Sequence, residues 1–552
     1  MRGSAGFISR AGLGVTFSLG ACMAPQLDNV CNIPDNATAE ERQAALALCA
    51  AKTETVPLSY QQDIDILFLI DNSPSMTPKQ KALAQNIPKF MQRIDATGAN
   101  YHVGIATSDV GTDALNGVLW GSSLGKCDTY AGDDGMLQAQ ACTSRTDVTA
   151  DARAACNTLC PDDRFVPQGG SRYISKIDGV TNVPVKSETD PMTGGLVDVG
   201  PIKAFQCMAL VGDSGCGVEG QLEGAKRALD NHLAQNAGFL RKNSILAVIY
   251  ITDEDDCSVQ LAQRSQNNPL VRDCDPNQPD SYDCYNIDYR CLARSITCQE
   301  TMLTPGVKSS CTERPNNYLD PVEKYYNFFS TLRPASQLLI SGIWTLPSIQ
   351  GGGRVEIVQP QNQSGTALLN RAHGTGASCF YAGDPSIFGQ AQYRLSKFAG
   401  MFGKSADGSD NALEVSICDI DNYPTALDKI AGAIADKIYH CLPSPPKTQD
   451  GHAVCLVGDV DASTPNATPA VAFPACSATC CGGFAASSQP TPTDPAIQAA
   501  CAAETTDACY CATASTATPT LCAGTSVMGV WRKGGAATPA GKSTTFNCAG
   551  AG

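Results

Sequence analysis

The run Asp63-Ile64-Asp65-Ile66-Leu67-Phe68-Leu69-Ile70 passes directly into Asp71-Asn72-Ser73-Pro74-Ser75-Met76-Thr77-Pro78. Ile66 to Ile70 is uniformly apolar, as a parallel strand covered on both faces requires. The polar cluster Asp71-x-Ser73-x-Ser75 stops it. A helix is expected next, with Thr77 as its cap, Pro78 in the first helical position and Gln80 completing a capping box. Leu83, Ile87, Phe90, Met91 and Ile94 follow at helical spacing, and Pro88 predicts a kink. One carboxylate and two hydroxyls then stand at the carboxyl end of a buried strand, where open α/β sheets bind ligands. All three are hard oxygen donors, suited to Mg²⁺, Mn²⁺ or Ca²⁺ and not to a thiolate-loving metal.

With that strand before it and that helix after it, Asp71-x-Ser73-x-Ser75 resembles the metal-ion-dependent adhesion site (MIDAS) of von Willebrand factor type A (VWA) domains. The resemblance covers about Gln61 to His440, insertions excepted. It implies that Asp71, Ser73 and Ser75 hold the ion directly or through water, with one position left open for a partner's carboxylate. Mg²⁺ is the first choice of ion, with Mn²⁺ or Ca²⁺ as alternatives. The family's second metal loop supplies a Thr just before a helix. Here Gly212-Asp213-Ser214-Gly215-Cys216-Gly217-Val218-Glu219 contains none, and Glu219, with Ser214 behind it, is the nearest oxygen donor. A helix with Leu222, Ala225 and Leu229 on one face follows. The third loop ends the buried run Ser244 to Ile251 with Thr252-Asp253-Glu254-Asp255-Asp256. Asp253 matches the family's water-mediated carboxylate; the rival reading of these four acids is a solvated loop.

The fold expected is α/β: a doubly wound, mostly parallel sheet flanked by helices, with cysteine-rich insertions and a small disulfide-rich C-terminal β module. Residues 1–21 read as a lipoprotein signal peptide and 22–59 as a tether. Residues 60–440 read as the VWA domain, with insertions at about 111–200 and 257–320, and 441–552 as an Ala/Thr/Pro-rich module. Tyr101 to Ala106 reads as a strand whose end, Thr107-Ser108-Asp109, shares the edge of Asp71. The stretch after Gly111 lacks periodicity and reads as a loop held by disulfides among Cys127, Cys142, Cys156 and Cys160. Further along, Val322 to Leu332 and Gln390 to Phe402 read as helices, and Leu338 to Ile343 and Leu413 to Cys418 as strands. The closing helix carries Leu427, Ile430, Ala431, Ile434 and Ile438. In the last segment Val454 to Val457, Ser526 to Trp531 and Thr545 to Cys548 suggest strands, with partial disorder as the alternative.

Arg2 and Arg10 precede an apolar stretch too short to span a bilayer, ending Leu19-Gly20-Ala21-Cys22. That ending resembles a bacterial lipobox, which implies lipidation at Cys22 and export to the cell envelope, on the periplasmic side or the surface. Of 27 cysteines, setting Cys22 aside leaves an even 26, enough for 13 disulfides in an oxidising compartment. No ordered zinc pattern is present. Net charge is −15 with no basic block, which argues against nucleic acid as a partner and leaves membrane contact to the lipid anchor. Gly212-Asp213-Ser214-Gly215 and Gly121-x-Ser123-x-Gly125 resemble nucleophile loops, but neither has a visible histidine partner. The expected function is therefore metal-dependent protein binding, or cell adhesion, and not catalysis. The partner would offer an Asp or Glu. The second reading is a structural envelope protein without metal-controlled binding, and the third a secreted hydrolase.

Overall fold

The computed structural model describes residues 55–58, 63–111, 132–146, 148–189, 195–231, 233–242, 244–260, 270, 287–302, 304–314, 318–333, 335–346, 355–358, 374–375, 377–403, 411–439, 448–449, 452–461, 469–487, 494–514, 526–536, 539 and 542–548. The signal peptide, Cys22 and most of the segment read as a tether lie outside them, as does Cys127. No described helix is long and apolar enough to cross a membrane.

A seven-stranded sheet forms the centre. In spatial order it runs Ala412–Ser416, Leu338–Trp344, Ile245–Ile251, Asp63–Ile70, Asn100–Thr107, Ile174–Ile177, Val180–Thr181. The first five are parallel and the last two antiparallel. The unbroken apolar run of the Asp63–Ile70 strand is explained by two cores. Ile64, Ile66, Phe68 and Ile70 enter one, packed under helices Thr77–Asp95, Gly200–Met208 and Tyr423–Tyr439. Leu67 and Leu69 enter the other, under helices Gln221–Leu229, Val322–Leu332 and Tyr393–Gly400. The period of two in a strand serves both faces at once. Numbered along the chain, the parallel strands lie in the order 5-4-3-1-2, so direction reverses between the first and the third. The carboxyl ends of that pair flank the crevice in which doubly wound sheets bind ligands.

Several local expectations are corrected. Thr77 and Gln80 form no capping box. A 3₁₀ turn, Pro74–Met76, leads into the helix instead, and both side chains reach across to the next loop. Thr77 Oγ1 donates to Asp213 Oδ2 at 2.7 Å, and Gln80 Nε2 donates to the carbonyls of Asp71 (2.8 Å) and Gly212 (2.7 Å). Buried carbonyls in two converging loops outweigh a local cap. Pro88 lies inside the helix Thr77–Asp95, and Gln206 Nε2 donates to the Ala84 carbonyl that Pro88 leaves unbonded (3.0 Å).

The stretch 111–200 is more than a stapled loop. Thr149 caps a helix, Ala150–Leu159, and Ile174–Ile177 extends the main sheet from the Asn100–Thr107 strand. These strands are short and half-exposed, which erased their periodicity. Cystines Cys142–Cys156 and Cys160–Cys207 secure the stretch. The second insertion is closed by Cys257–Cys291 and Cys298–Cys311. The helix expected from Gln390 begins at Tyr393, because Ala377–Tyr381 and Asp384–Gln390 form a hairpin first. Cys379–Cys418 ties that hairpin to the end of the last parallel strand.

All three strands expected in the C-terminal module are present, as Cys455–Asp461, Val527–Arg532 and Lys542–Cys548, with a fourth at Ala508–Thr513. Among the described residues four cystines hold it: Cys455–Cys548, Cys476–Cys509, Cys480–Cys501 and Cys481–Cys511. Two of the expected boundaries are blurred. Strand Thr55–Leu58, in the segment read as tether, pairs antiparallel with Lys542–Cys548, and Val527 packs into the core beneath the main sheet. Every described cysteine is disulfide-bonded.

Phe68 is the central side chain of the first core, edge-on to Phe90 (5.4 Å between centroids) and Phe205 (4.7 Å). Phe68→Ala is expected to lower stability by about 3–5 kcal/mol, measured by urea unfolding of the full chain. A loss under about 1 kcal/mol would contradict this packing.

Candidate metal centre

Asp71 continues the pairing of its strand by one bond, its N–H donating to the Ile251 carbonyl at 2.9 Å. This fixes two loops side by side. Asp71 is fully buried: Oδ1 accepts the Ser73 N–H at 2.7 Å and Oδ2 accepts the Thr252 hydroxyl at 2.7 Å. Ser75 Oγ donates to Asp253 Oδ1 at 3.0 Å, which leaves Ser73 as donor in the 3.1 Å contact between the two serine hydroxyls. Each hydroxyl has then spent its hydrogen and keeps lone pairs free for a cation.

The loop of residues 212–219 packs tightly against these two loops. Gly215 N donates to Asn72 O at 2.9 Å, and a Cβ on Gly215 would fall 2.2 Å from Asn72 Oδ1. A larger residue here would have to displace the Asn72 side chain. Glu219 is 2% exposed; its Oε2 accepts Gln221 Nε2 at 3.0 Å, and its Oε1 meets no donor, with the Asp71 carboxyl close beside it. The same Gln221 amide reaches Thr252 Oγ1 at 3.1 Å, joining the loop of Glu219 to the hydroxyl that binds Asp71. Burial, with Asp71 next and then Glu254, pushes the Glu219 carboxyl well above the ordinary carboxylate range. Burial also raises Asp253, against the pull of Lys79.

Ser214 makes no described hydrogen bond to the cluster. Its neighbour Asp213 is occupied in bracing Thr77 and the Thr149 N–H. His102 gives Ser214 no catalytic partner, since it lies toward the opposite end of the strands, against the Phe239 carbonyl and the Tyr173 ring. Residues 121–125 lie outside the described structure. Asp109, expected at this edge, braces Gly111 N at 2.9 Å.

The acidic run is not a solvated loop. Asp253, 1% exposed, faces the cluster. The Asp255 carboxylate accepts the N–H groups of Tyr393, Arg394 and Leu395, capping a helix, and burial pushes it up to about 6. Asp256 binds Arg394 Nε (3.0 Å) and Nη2 (2.9 Å) and accepts Leu222 N (2.9 Å). A narrow cleft lined by Gly217, Glu219, Glu254, Asp255, Cys257, Cys291, Leu292, Gln390 and Ala391 borders the cluster, so the second insertion forms part of its rim.

Two members escaped the sequence reading. Thr252 was passed over for the acids after it. Lys79 pairs with Asp253 Oδ2 and donates to the Ser75 carbonyl at 3.3 Å. One signal for it existed: the apolar stripe of the helix, carried back one turn from Leu83, lands on Lys79.

The donors fit a hard divalent ion. Three buried carboxylates, Asp71, Glu219 and Asp253, face one ammonium, and the Glu219 oxygen that meets no donor is the kind of atom that a proton or a cation must satisfy. Among the described residues, ligand atoms from three His, Cys, Asp or Glu residues come within 4.8 Å of one another only among Cys476, Cys480, Cys481, Cys509 and Cys511, whose sulfurs are in cystines. The three carboxylates therefore make no direct cage, and hydroxyls and waters would complete the shell.

Asp71→Ala is expected to abolish binding of Mg²⁺, Mn²⁺ and Ca²⁺ with the fold intact, and Glu219→Gln to weaken it by at least about tenfold, both by titration calorimetry. Unchanged affinity in Glu219→Gln would remove Glu219 from the site. The raised carboxyls also set a pH dependence. A carboxyl raised on folding favours the folded state below its unfolded pKa, and that contribution is lost as pH rises through the folded value. In EDTA, the urea midpoint is expected to fall as pH rises above the ordinary carboxylate range, and millimolar Mg²⁺ to flatten the fall by stabilising the ionised form. Asp255 contributes a part that the ion does not remove. Equal slopes with and without ion would contradict this. No protein-family model and no curated protein matches this chain, so the functional reading rests on the geometry.

Proposed function

We propose that this chain is a VWA-like binding protein of the bacterial cell envelope, lipid-anchored at Cys22, that engages a protein partner through a divalent ion. Asp71 and Glu219 supply the charge that holds the ion, Ser73 and Ser75 supply hydroxyl oxygens, and Asp253 acts through the Ser75 hydroxyl. Mg²⁺ is the expected ion. It would keep uncompensated positive charge and exchange a water for an Asp or Glu carboxylate of the partner. The observation that carries this reading is a pair of buried carboxylates: Asp71 at the carboxyl end of the central strand, where the strand order reverses, and Glu219 on the loop before helix Gln221–Leu229, with one oxygen that meets no donor.

One observation favours the structural alternative, an envelope protein whose binding ignores metal. Lys79 already neutralises Asp253, so part of the cluster is satisfied with no ion. The two readings part in one experiment. The full chain, immobilised, is incubated with envelope extract in Mg²⁺ and in EDTA, beside Asp71→Ala. Adhesion-type binding predicts a protein retained in Mg²⁺, released by EDTA and missing with Asp71→Ala. A partner retained equally in all three arms would establish the structural reading instead.

A further inference from the structure

Lys79 is 1% exposed, beside the buried Gln80 and one turn before the core residue Leu83. Its ammonium meets Asp253 Oδ2, the Ser75 carbonyl at 3.3 Å and the Phe388 ring, 5.8 Å from the centroid. The other oxygen of Asp253 accepts Ser75 Oγ. Both oxygens of this carboxylate are therefore engaged before any ion arrives. Phe388 belongs to the hairpin whose Gln390 N–H donates to the Asp253 carbonyl at 2.8 Å, so the enclosure around the ammonium is built from three separate segments.

We infer that Lys79 is a resident cation of the site: it holds Asp253 back from the divalent ion, keeps the ion's affinity low, and keeps the loops assembled when no ion is bound. This rests on the metal-binding reading above. Charge counting supports it. With Lys79 present, Asp253 is matched, and an incoming ion meets two uncompensated carboxylates and a repelling ammonium. Without Lys79 it meets three carboxylates. Affinity at oxygen sites follows the number of charged ligands. For Asp253 to enter the ion's shell, either the Lys79 pair or the Ser75 bond must break. A buried carboxylate that loses its partner is costly, so removing Lys79 transfers that cost to the ion-free protein and makes the ion its remedy. The residue thus exchanges affinity for independence from the ion. Such a site binds and releases a partner as ion concentration changes, without unfolding.

The test uses the full chain as wild type, Lys79→Met and Lys79→Gln, with thermal unfolding in EDTA and in Mg²⁺ or Mn²⁺, and calorimetric titration of each ion. Wild type is expected to stay folded in EDTA with a small shift on adding ion. Both variants are expected to melt lower in EDTA, to recover in ion, and to bind it at least about tenfold more tightly. A variant that folds solely in the presence of ion supports the inference further. If wild type binds ion and the variants bind it no more tightly, or fail to fold even with ion, Lys79 is a packing residue; the inference is overturned and the metal reading stands. If neither wild type nor variants bind any ion, the metal reading falls and the inference with it.

Discussion

Everything at the carboxyl edge of this sheet depends on one pairing, that of the Asp63–Ile70 strand with the Ile245–Ile251 strand. The two are far apart in sequence, and their registers run in step from Ile64 beside Ile245 to Ile70 beside Ile251. Because the following helices pack on opposite faces, the loops after Ile70 and Ile251 diverge and leave a crevice. A slip of one residue would exchange every side chain between the two cores. It would also move Asp71 out of reach of Thr252. The apolar alternation that buries Ile66, Leu67, Phe68 and Leu69 is therefore also what sets the position of the carboxylates.

The elements that were legible in the sequence are those whose burial is continuous. The central strand, its helix, the Val322–Leu332 helix and the closing helix all carry long apolar patterns that two covering layers impose. Elements with one half-wet face were not legible. Ile174–Ile177 and Val180–Thr181 join the sheet at its edge, where short antiparallel strands need little apolar content. The hairpin Ala377–Gln390 carries no long apolar pattern for the same reason, and only its last residue falls within the helix expected from Gln390. In the candidate site, Asp71, Ser73, Ser75 and Asp253 were visible because they follow strands directly. Glu219 was visible because the loop lacked a better oxygen donor. Thr252 and Lys79 were hidden by chemistry, one standing beside four acids and the other being a cation sought nowhere near a cation site.

Four consecutive acids illustrate how little composition says about role. Asp253 faces the cluster, Asp255 terminates a helix, and Asp256 meets Arg394 while holding the first turn of another helix. Asp253 is answered by an ammonium, Asp255 by backbone N–H groups, Asp256 by a guanidinium and a backbone N–H, and Glu254 by the Gln390 side-chain amide. The rim of the crevice is consequently stiff by virtue of its polar bonds, with cystines Cys257–Cys291 and Cys379–Cys418 fastening the insertions that border it.

The short strand Thr55–Leu58 has a mechanical meaning. It is stitched to Lys542–Cys548, which is stitched in turn to Cys455–Asp461 and locked there by the Cys455–Cys548 cystine. Four residues later the chain enters the central strand, whose far end carries Asp71. Tension between a ligand at Asp71 and the chain before Thr55 would thus run along the axis of the central strand. That strand is gripped on both sides over nearly its whole length, so its hydrogen bonds would resist in shear, all loaded together. The terminal strand would yield first, and its loss would lengthen the stem without disturbing the crevice.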